Sequence, residues 1–122
     1  MWQGMDNRRF PRANFPCKIT IFKKGQKEKI SAQTENIGAG GICVLLDTGL
    51  DRFSLVDLVL YLENGLQPIS CEGRVVWSVR RKDKFDTGIE FITISAIDGG
   101  RIERIVKECL KKEQASSKKK QD

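Results

Sequence analysis

Three arginines near the start of the chain are the residues whose type and spacing point most directly to ligand chemistry. Arg8, Arg9 and Arg12 fall within five positions, and Pro11 stiffens the backbone beside them. A guanidinium donates two parallel hydrogen bonds to a phosphate or to the O6 and N7 atoms of guanine, so clustered arginine suits bidentate recognition of either group. An exposed basic leader without a ligand explains the same composition equally well.

A glycine-rich segment, Asn36-Ile37-Gly38-Ala39-Gly40-Gly41, is the second feature with chemical potential. Its asparagine offers an amide oxygen that accepts hydrogen bonds from guanine N–H groups. Three glycines in four positions permit positive φ, and they let a ligand approach backbone N–H groups without a Cβ in the way. The alternative is a plain connection between two strands.

Several classes of function lack the residues that they need. The chain has no histidine, which removes the commonest general base, the commonest metal ligand and every triad that depends on imidazole. Its four cysteines are widely spaced, and we interpret them as reduced, mostly buried thiols. No carboxylate pair stands in a recognisable catalytic motif. We therefore expect no enzyme activity, no metal and no cofactor.

Length and charge describe one small basic domain. The chain has 122 residues and a net charge of +6. No apolar run approaches the roughly 20 residues that span a membrane, and the first residues do not resemble a signal peptide, so we expect a cytoplasmic protein without a membrane segment. The last stretch, 114–122, is polar and Lys-rich and is expected to be disordered.

The elements that must position these residues are mostly strands. Alternation of apolar and polar residues predicts strands at Cys17–Ile21, Lys29–Glu35, Ile42–Leu46, Leu55–Leu62, Pro68–Val79 and Phe85–Ile92. In the fifth strand, Gly73 is expected to mark a bend or bulge. The residues of that strand expected to share one face are Ile69, Cys71, Val75, Trp77 and Val79.

Turn and helix signals complete the predicted fold. Asn64-Gly65 is the preferred composition of a type I′ turn, and Arg80–Lys84 is predicted to be a loop. Ser95 and Asp98 resemble a capping box, and the apolar residues after it recur at helical spacing: Ile102, Ile105, Val106, Cys109 and Leu110. The sequence predicts a mainly β fold, a six-stranded antiparallel β-barrel with a C-terminal amphipathic α-helix.

The motifs and their order resemble the PilZ domain family. The matching segments are Arg8-x-x-x-Arg12, Asn36-x-Gly38-x-x-Gly41, Val75-Val76-Trp77 and Gly88-Ile89-Glu90-Phe91. The resemblance covers nearly the whole chain and divides it into a disordered leader at 1–6, a PilZ-like domain at 7–113 and a disordered Lys-rich tail at 114–122. It implies a six-stranded barrel that acts in many bacteria as a receptor for cyclic di-GMP.

The resemblance also implies a ligand site, taken from the family's RxxxR and [D/N]xSxxG motifs and from its fifth strand. The implied residues are Arg8, Arg9, Arg12, Asn36, Gly38, Gly41 and Trp77. Trp77 would stack on a base, although a place in the barrel core explains it as well. Gly38 departs from the family, which usually carries serine there. Loss of one hydrogen bond of about 0.5–1.5 kcal/mol predicts roughly two- to tenfold weaker binding.

The function expected from the resemblance is that of a cyclic di-GMP receptor or adaptor. Its N-terminal arginine loop is ordered by the ligand and is then recognised by an unidentified downstream protein. A PilZ-like adaptor that contacts proteins without nucleotide is the first alternative, favoured by Gly38 and opposed by the arginine pair. A small basic barrel that binds single-stranded nucleic acid is the second, and the scarcity of exposed aromatic residues opposes it.

Overall fold

Seven strands and one helix form the described part of the chain, which is residues 12–62 and 66–121 of a computed structural model, with side chains described for 13–62 and 66–112. The elements are β1 (Arg12–Ala13), β2 (Lys18–Lys23), β3 (Lys29–Gly38), β4 (Gly41–Leu46), β5 (Leu55–Tyr61), β6 (Ile69–Arg81), β7 (Lys84–Thr93) and α1 (Ala96–Gln121). No helix in this part of the chain is long and apolar enough to cross a membrane.

Six of these strands close into an antiparallel barrel. Their order is β3-β2-β5-β6-β7-β4, and β3 pairs back to β4. The two-residue strand β1 adds to the edge of β3, with Arg12 opposite Gly38 and Ala13 opposite Ile37. The predicted six-stranded antiparallel barrel with a C-terminal helix is therefore confirmed.

Strand β3 belongs to two walls of the barrel. Its first half, 29–33, pairs with β2, and its second half, 34–38, pairs with β4. A register shift between Thr34 and Asn36 marks the change of partner. The expectation that the strand is interrupted at Asn36 is wrong, because β3 continues to Gly38 and a turn of only two residues leads into β4.

Close approach, rather than positive φ, explains the glycine at the start of β4. Among the described glycines, positive φ occurs at Gly25. A Cβ at Gly41 would lie 2.2 Å from the carbonyl oxygen of Ile89, so a larger residue would push β4 away from β7. Gly41 thus keeps two strands of the barrel in register at the point where β4 begins.

The β6–β7 hairpin is longer than the sequence pattern predicts. Arg81 pairs with Lys84, so the loop expected at Arg80–Lys84 is wrong and a two-residue turn takes its place. A register shift between Glu72 and Gly73 confirms the irregularity predicted at that glycine. The turn predicted at Asn64-Gly65 lies outside the described residues.

The core fills the barrel and continues beneath the helix. Helix α1 buries Ile102, Ile105 and Val106 and half-buries Cys109 and Leu110, which confirms the predicted apolar stripe. Full burial of one such aliphatic side chain contributes about 1.5–3 kcal/mol. The strand residues that form the centre of the core are Ile19, Ile21, Ile37, Ile42, Val44, Leu58, Leu60, Ile69, Val75 and Ile89.

Helix α1 begins at the predicted cap and extends beyond Leu110, the last residue of the predicted apolar stripe. The Asp98 N–H donates to Ser95 Oγ at 3.1 Å, which satisfies one of the unpaired donors of the first turn. The helix then runs to Gln121 and includes most of the segment that composition predicts to be disordered. Lys, Gln, Glu and Ala are good helix formers, so a helix held by its packed half can propagate through them. The leader at 1–6 lies outside the described residues.

Candidate functional site

Two of the predicted ligand residues lie in one row across four strands. Asn36 on β3 pairs with Cys43 on β4, Cys43 pairs with Gly88 on β7, and Gly88 pairs with Trp77 on β6. Directly paired residues of neighbouring strands point to the same face of a sheet. We call these four residues the outer row.

The outer row lies on the outside of the barrel. The next row consists of Ile37, Ile42, Ile89 and Val75, all of them 0% exposed and part of the core. Because successive residues of a strand alternate between faces, the outer row points away from that core. Asn36, Cys43 and Trp77 are half-buried.

The indole of Trp77 rests on Gly88. A Cβ built at Gly88 would lie 2.6 Å from each of three indole carbons, Cδ2, Cε2 and Cε3. Equal distances to three ring atoms place the ring face against the backbone of β7. Only glycine leaves room for this contact.

A β-bulge decides which face Trp77 occupies. Val75 pairs with Ile89 and Trp77 with Gly88, so Val76 is an extra residue in β6. The bulge reverses the alternation, which leaves Val75 in the core and turns Trp77 and Val79 outward, the latter 52% exposed. The prediction that these residues share one face with Val75 is wrong, because strict alternation takes no account of a bulge.

A second outward row holds the glycines of the predicted motif. Gly38 pairs with Gly41, Gly41 with Glu90, and Glu90 with Arg74. Arg12 pairs with Gly38 at the other end, so β1 brings this backbone position beside the glycine pair. The Arg74 Nη2 to Glu90 Oε1 distance is 2.7 Å, and this ion pair neutralises the carboxylate nearest to Gly41.

The structure therefore places Asn36, Trp77, Gly38 and Gly41 in two adjacent rows on one face. Arg8 and Arg9 lie outside the described residues, as does the side chain of Arg12. The arrangement of the three arginines around a ligand stays a prediction.

The outer row forms a floor of small residues between two larger side chains. Three strand spacings of about 4.8 Å separate Asn36 from Trp77, so the row is roughly 14 Å wide. Trp77 offers an aromatic ring for stacking, and Asn36 offers an amide with both donors and an acceptor. This arrangement suits a planar aromatic group with polar edges.

Sequence reasoning misses two residues of this floor, Cys43 and Gly88. Gly88 carries a signal, since it opens one of the recognised motifs, but its role beneath Trp77 follows only from the register. Cys43 carries no signal, because the sequence around a half-buried cysteine in a strand looks the same whether or not the residue lies in a site. Strand pairing assigns both residues to the site.

Two concave regions lie elsewhere on the described surface. One, of about 430 Å³, lies between the first half of β3 and the end of β4. The other, of about 230 Å³, lies beside Lys24 and Ser54. Neither contains a predicted ligand residue, and among the described residues no group of three or more side chains is arranged to hold a metal ion.

Comparison with known proteins gives one family and several similar folds. The family profile of the PilZ domain matches residues 6–108. The PilZ domain of YcgR from Escherichia coli, solved with c-di-GMP, is 14% identical; the match covers 93% of this chain and 99% of that one, with a TM-score of 0.70. No curated protein matches the sequence significantly.

Two longer proteins share the same fold. The Bacillus subtilis inhibitor of motility, MotI, is 23% identical over 90% of this chain and 52% of its own, with a TM-score of 0.72. The K. pneumonia MrkH structure, a complex with c-di-GMP, is 19% identical over 91% and 56%, with a TM-score of 0.70. The chain thus spans about half the length of each of these two proteins.

Proposed function

The chain belongs to the PilZ domain family, and on that premise we propose that it is a receptor that binds cyclic di-GMP on the outer row and signals this to a partner protein. The observation that carries the proposal is the outer row itself, which joins Asn36 and Trp77 across a floor of small residues. Structures of YcgR and MrkH with c-di-GMP support the choice of ligand.

The two guanines of the ligand match the groups that the outer row offers. In this proposal one guanine stacks on the face of the Trp77 ring that points away from Gly88, and the base extends toward the Cys43 position. The Asn36 side-chain oxygen accepts a hydrogen bond from a guanine N–H. Base stacking on an aromatic side chain contributes about 1–3 kcal/mol.

The arginines bind the phosphates and the second polar edge of the ligand. Backbone pairing of Arg12 with Gly38 brings the chain to the row beside Asn36. Arg8 is four residues away, at most roughly 14 Å of extended chain, so its guanidinium can reach the outer row. Bidentate contacts from Arg8, Arg9 and Arg12 then hold the ligand against the barrel.

The same contacts provide the signal to a partner. A bound ligand fixes the arginine segment on the barrel surface, and the partner recognises this ordered surface. Amide hydrogen exchange across residues 7–15 tests the step. We expect slower exchange at saturating cyclic di-GMP, and unchanged exchange would contradict the mechanism.

Calorimetric titration with cyclic di-GMP at fixed salt tests the receptor function. We expect saturable binding at low micromolar concentration or tighter, strongly weakened in Trp77→Ala and lost in the double variant Arg8→Ala/Arg12→Ala. GTP serves as the control ligand. The matched control variant is Arg80→Ala/Arg81→Ala, which removes the same charge at the β6–β7 turn, at positions that belong to neither row.

Absence of binding up to about 1 mM cyclic di-GMP would contradict the receptor function. It corresponds to a binding free energy weaker than roughly −4 kcal/mol. Gly38 in place of serine would then favour an adaptor that contacts proteins without nucleotide. Equal losses in both double variants would show that net charge, rather than the arginine segment, governs binding.

A further inference from the structure

The barrel wall is open between β3 and β4 on one side of the bulge. The two strands pair from Gly38 opposite Gly41 as far as Thr34 opposite Val44 and no further. Beyond this point β3 keeps only β2 as a partner, and β4 keeps only β7. The strands diverge around a cleft of about 430 Å³, lined by 29–32 on one side and 45–48 on the other, which we call the seam.

The β3 side of the seam presents unpaired backbone groups. The Thr34 N–H donates to the Cys17 carbonyl at 2.9 Å, and the register between β2 and β3 continues without a shift. Antiparallel strands direct the backbone groups of alternate residues to opposite sides. Thr34, Ala32 and Ile30 therefore face β2, and Ser31 and Gln33 direct their N–H and C=O groups into the seam.

The β4 side closes one end of the seam. The Phe91 N–H donates to the Gly40 carbonyl at 2.9 Å, and the register between β4 and β7 is also unbroken, so even-numbered residues of β4 face β7 and Leu45 faces β3. Because Thr34 and Val44 are paired while both turn their backbone groups to other strands, the Leu45 N–H donates to the Gln33 carbonyl. Beyond that bond, the described residues of β3 and β4 have no pairing with each other.

The side chains of the seam are apolar inside and charged at the rim. Ile30 and Ala32 pack against the core, and Leu45 is 41% exposed on the outer face. Lys84 at the rim is already paired with Asp47. Lys29 is exposed and forms no ion pair with any other described residue, so it is the cation that remains for a partner.

We propose that the seam binds an extended segment of a partner protein by β-strand addition. A strand edge with unpaired donors and acceptors, such as that of β3, is a template for a further strand. The β3 edge, Lys29–Gln33, is roughly 16 Å long at about 3.3 Å per residue, enough for a segment of five residues. The partner segment directs small apolar side chains inward, toward Ile30, and an acidic side chain toward Lys29.

The probe for this proposal is an acetylated, amidated seven-residue peptide that alternates valine and glutamate. It is added to the full ¹⁵N-labelled chain without nucleotide, and amide shifts and hydrogen exchange are recorded. We expect saturable shifts and slowed exchange at Ser31 and Gln33. Absence of saturable shifts at these amides up to millimolar peptide, or shifts confined to the outer row, would overturn the proposal.

Two control peptides separate backbone pairing from other contacts. Two N-methylated peptides are made, one methylated at the odd-numbered amides and the other at the even-numbered amides. Each lacks the N–H donors on one edge of the peptide strand, and at least one of them should bind tenfold more weakly or worse. Equal affinity of both N-methylated versions would overturn strand addition. A valine and lysine version should bind more weakly than the glutamate version, because it faces Lys29 with like charge.

Two variants locate the peptide on the protein. Ser31→Pro removes an N–H that faces the seam and does not pair with β2, so we expect at least tenfold weaker peptide binding with unchanged cyclic di-GMP titration. If this variant does not fold, Lys29→Glu replaces it and should reverse the preference between the glutamate and lysine peptides. Unchanged binding in Ser31→Pro, or an unchanged preference in Lys29→Glu, would overturn the proposal.

Sedimentation without peptide tests whether the occupant is a second copy of the chain. A monomer over the concentration range of the titration supports a partner's segment. A concentration-dependent dimer that protects the same two amides would overturn it. Neither the peptide readouts nor the sedimentation depends on the nucleotide, so failure here leaves the cyclic di-GMP proposal intact.

Discussion

At the scale of single residues, the absence of one methyl group shapes the candidate site. Gly88 lets the Trp77 ring lie against β7, and the ring in turn covers the glycine so that it is buried. A side chain at position 88 would lift the ring and place a bulky group on the floor of the outer row. Both effects oppose a planar ligand.

Replacement Gly88→Ala should therefore weaken cyclic di-GMP binding by roughly tenfold, within the range of about 1–3 kcal/mol that base stacking contributes. Titration measures the affinity, and Trp77 fluorescence in a Trp2→Phe background reports displacement of the ring. Gly99→Ala is the control, since nothing lies within 4 Å of a Cβ there. Unchanged affinity in Gly88→Ala would show that Trp77 does not stack on the ligand.

Restoration of the hydroxyl that the family usually carries gives a second prediction at this scale. Gly38→Ser should strengthen cyclic di-GMP binding by roughly two- to tenfold, because one hydrogen bond contributes about 0.5–1.5 kcal/mol. Gly38→Ala separates the hydroxyl from the added Cβ and should give no gain. A serine variant that binds no better than the alanine variant would contradict a ligand contact at position 38.

At the scale of elements, β3 is held at the point where it changes partner. The buried Thr34 hydroxyl accepts a hydrogen bond from the Cys17 N–H at 3.0 Å and donates one to the Phe15 carbonyl at 2.8 Å. These bonds tie β3 to the segment before β2, one pair away from the outer row. Thr34 therefore anchors β3 at the bulge, between the seam and the outer row.

Replacement Thr34→Val should lower the free energy of unfolding by about 1–3 kcal/mol, since it leaves a buried N–H without an acceptor. Urea denaturation measures the change. Thr34→Ser keeps the hydroxyl and loses only a methyl group, so we expect a smaller loss. If Thr34→Ser loses more than Thr34→Val, packing of the methyl group rather than the hydrogen bonds stabilises this point.

The elements also show why part of the site escapes sequence reasoning. The strands and the helix are predictable because alternation and helical spacing are local, as Ile19 and Ile21 or Ile102 and Val106 show. The face of Trp77 depends on an extra residue in β6, and the floor at Cys43 depends on pairing with β7. Such features arise between strands distant in sequence, and no single segment carries their signal.

At the scale of the whole molecule, buried thiols link stability to pH. Burial raises the pKa of Cys71 to about 12, and the charge of Asp98 adds to the shift. Burial also raises the pKa of Cys17. The folded protein therefore retains protons that the unfolded chain releases above pH 9.

Stability should decline as pH rises from about 9 toward 12, because the unfolded chain binds fewer protons than the folded one over that range. The stabilising contribution of the protonated thiol is fully present below pH 9. It is lost as the pH rises through the pKa that the thiol has in the folded protein. Urea denaturation from pH 7 to 10.5 measures the decline, which should be shallower in Cys71→Ser. Parallel curves for the two proteins would show that Cys71 titrates normally.

The outer row also has a consequence for biosynthesis. Asn36 and Cys43 come from the β3–β4 hairpin, and Gly88 and Trp77 come from the β6–β7 hairpin. In this row the two hairpins meet where β4 pairs with β7. Each hairpin can form as it leaves the ribosome, but the long-range closure must wait until β7 has emerged. A nascent chain thus acquires the proposed nucleotide-binding surface only when the barrel is nearly complete, so on this proposal unfinished chains do not sequester the ligand.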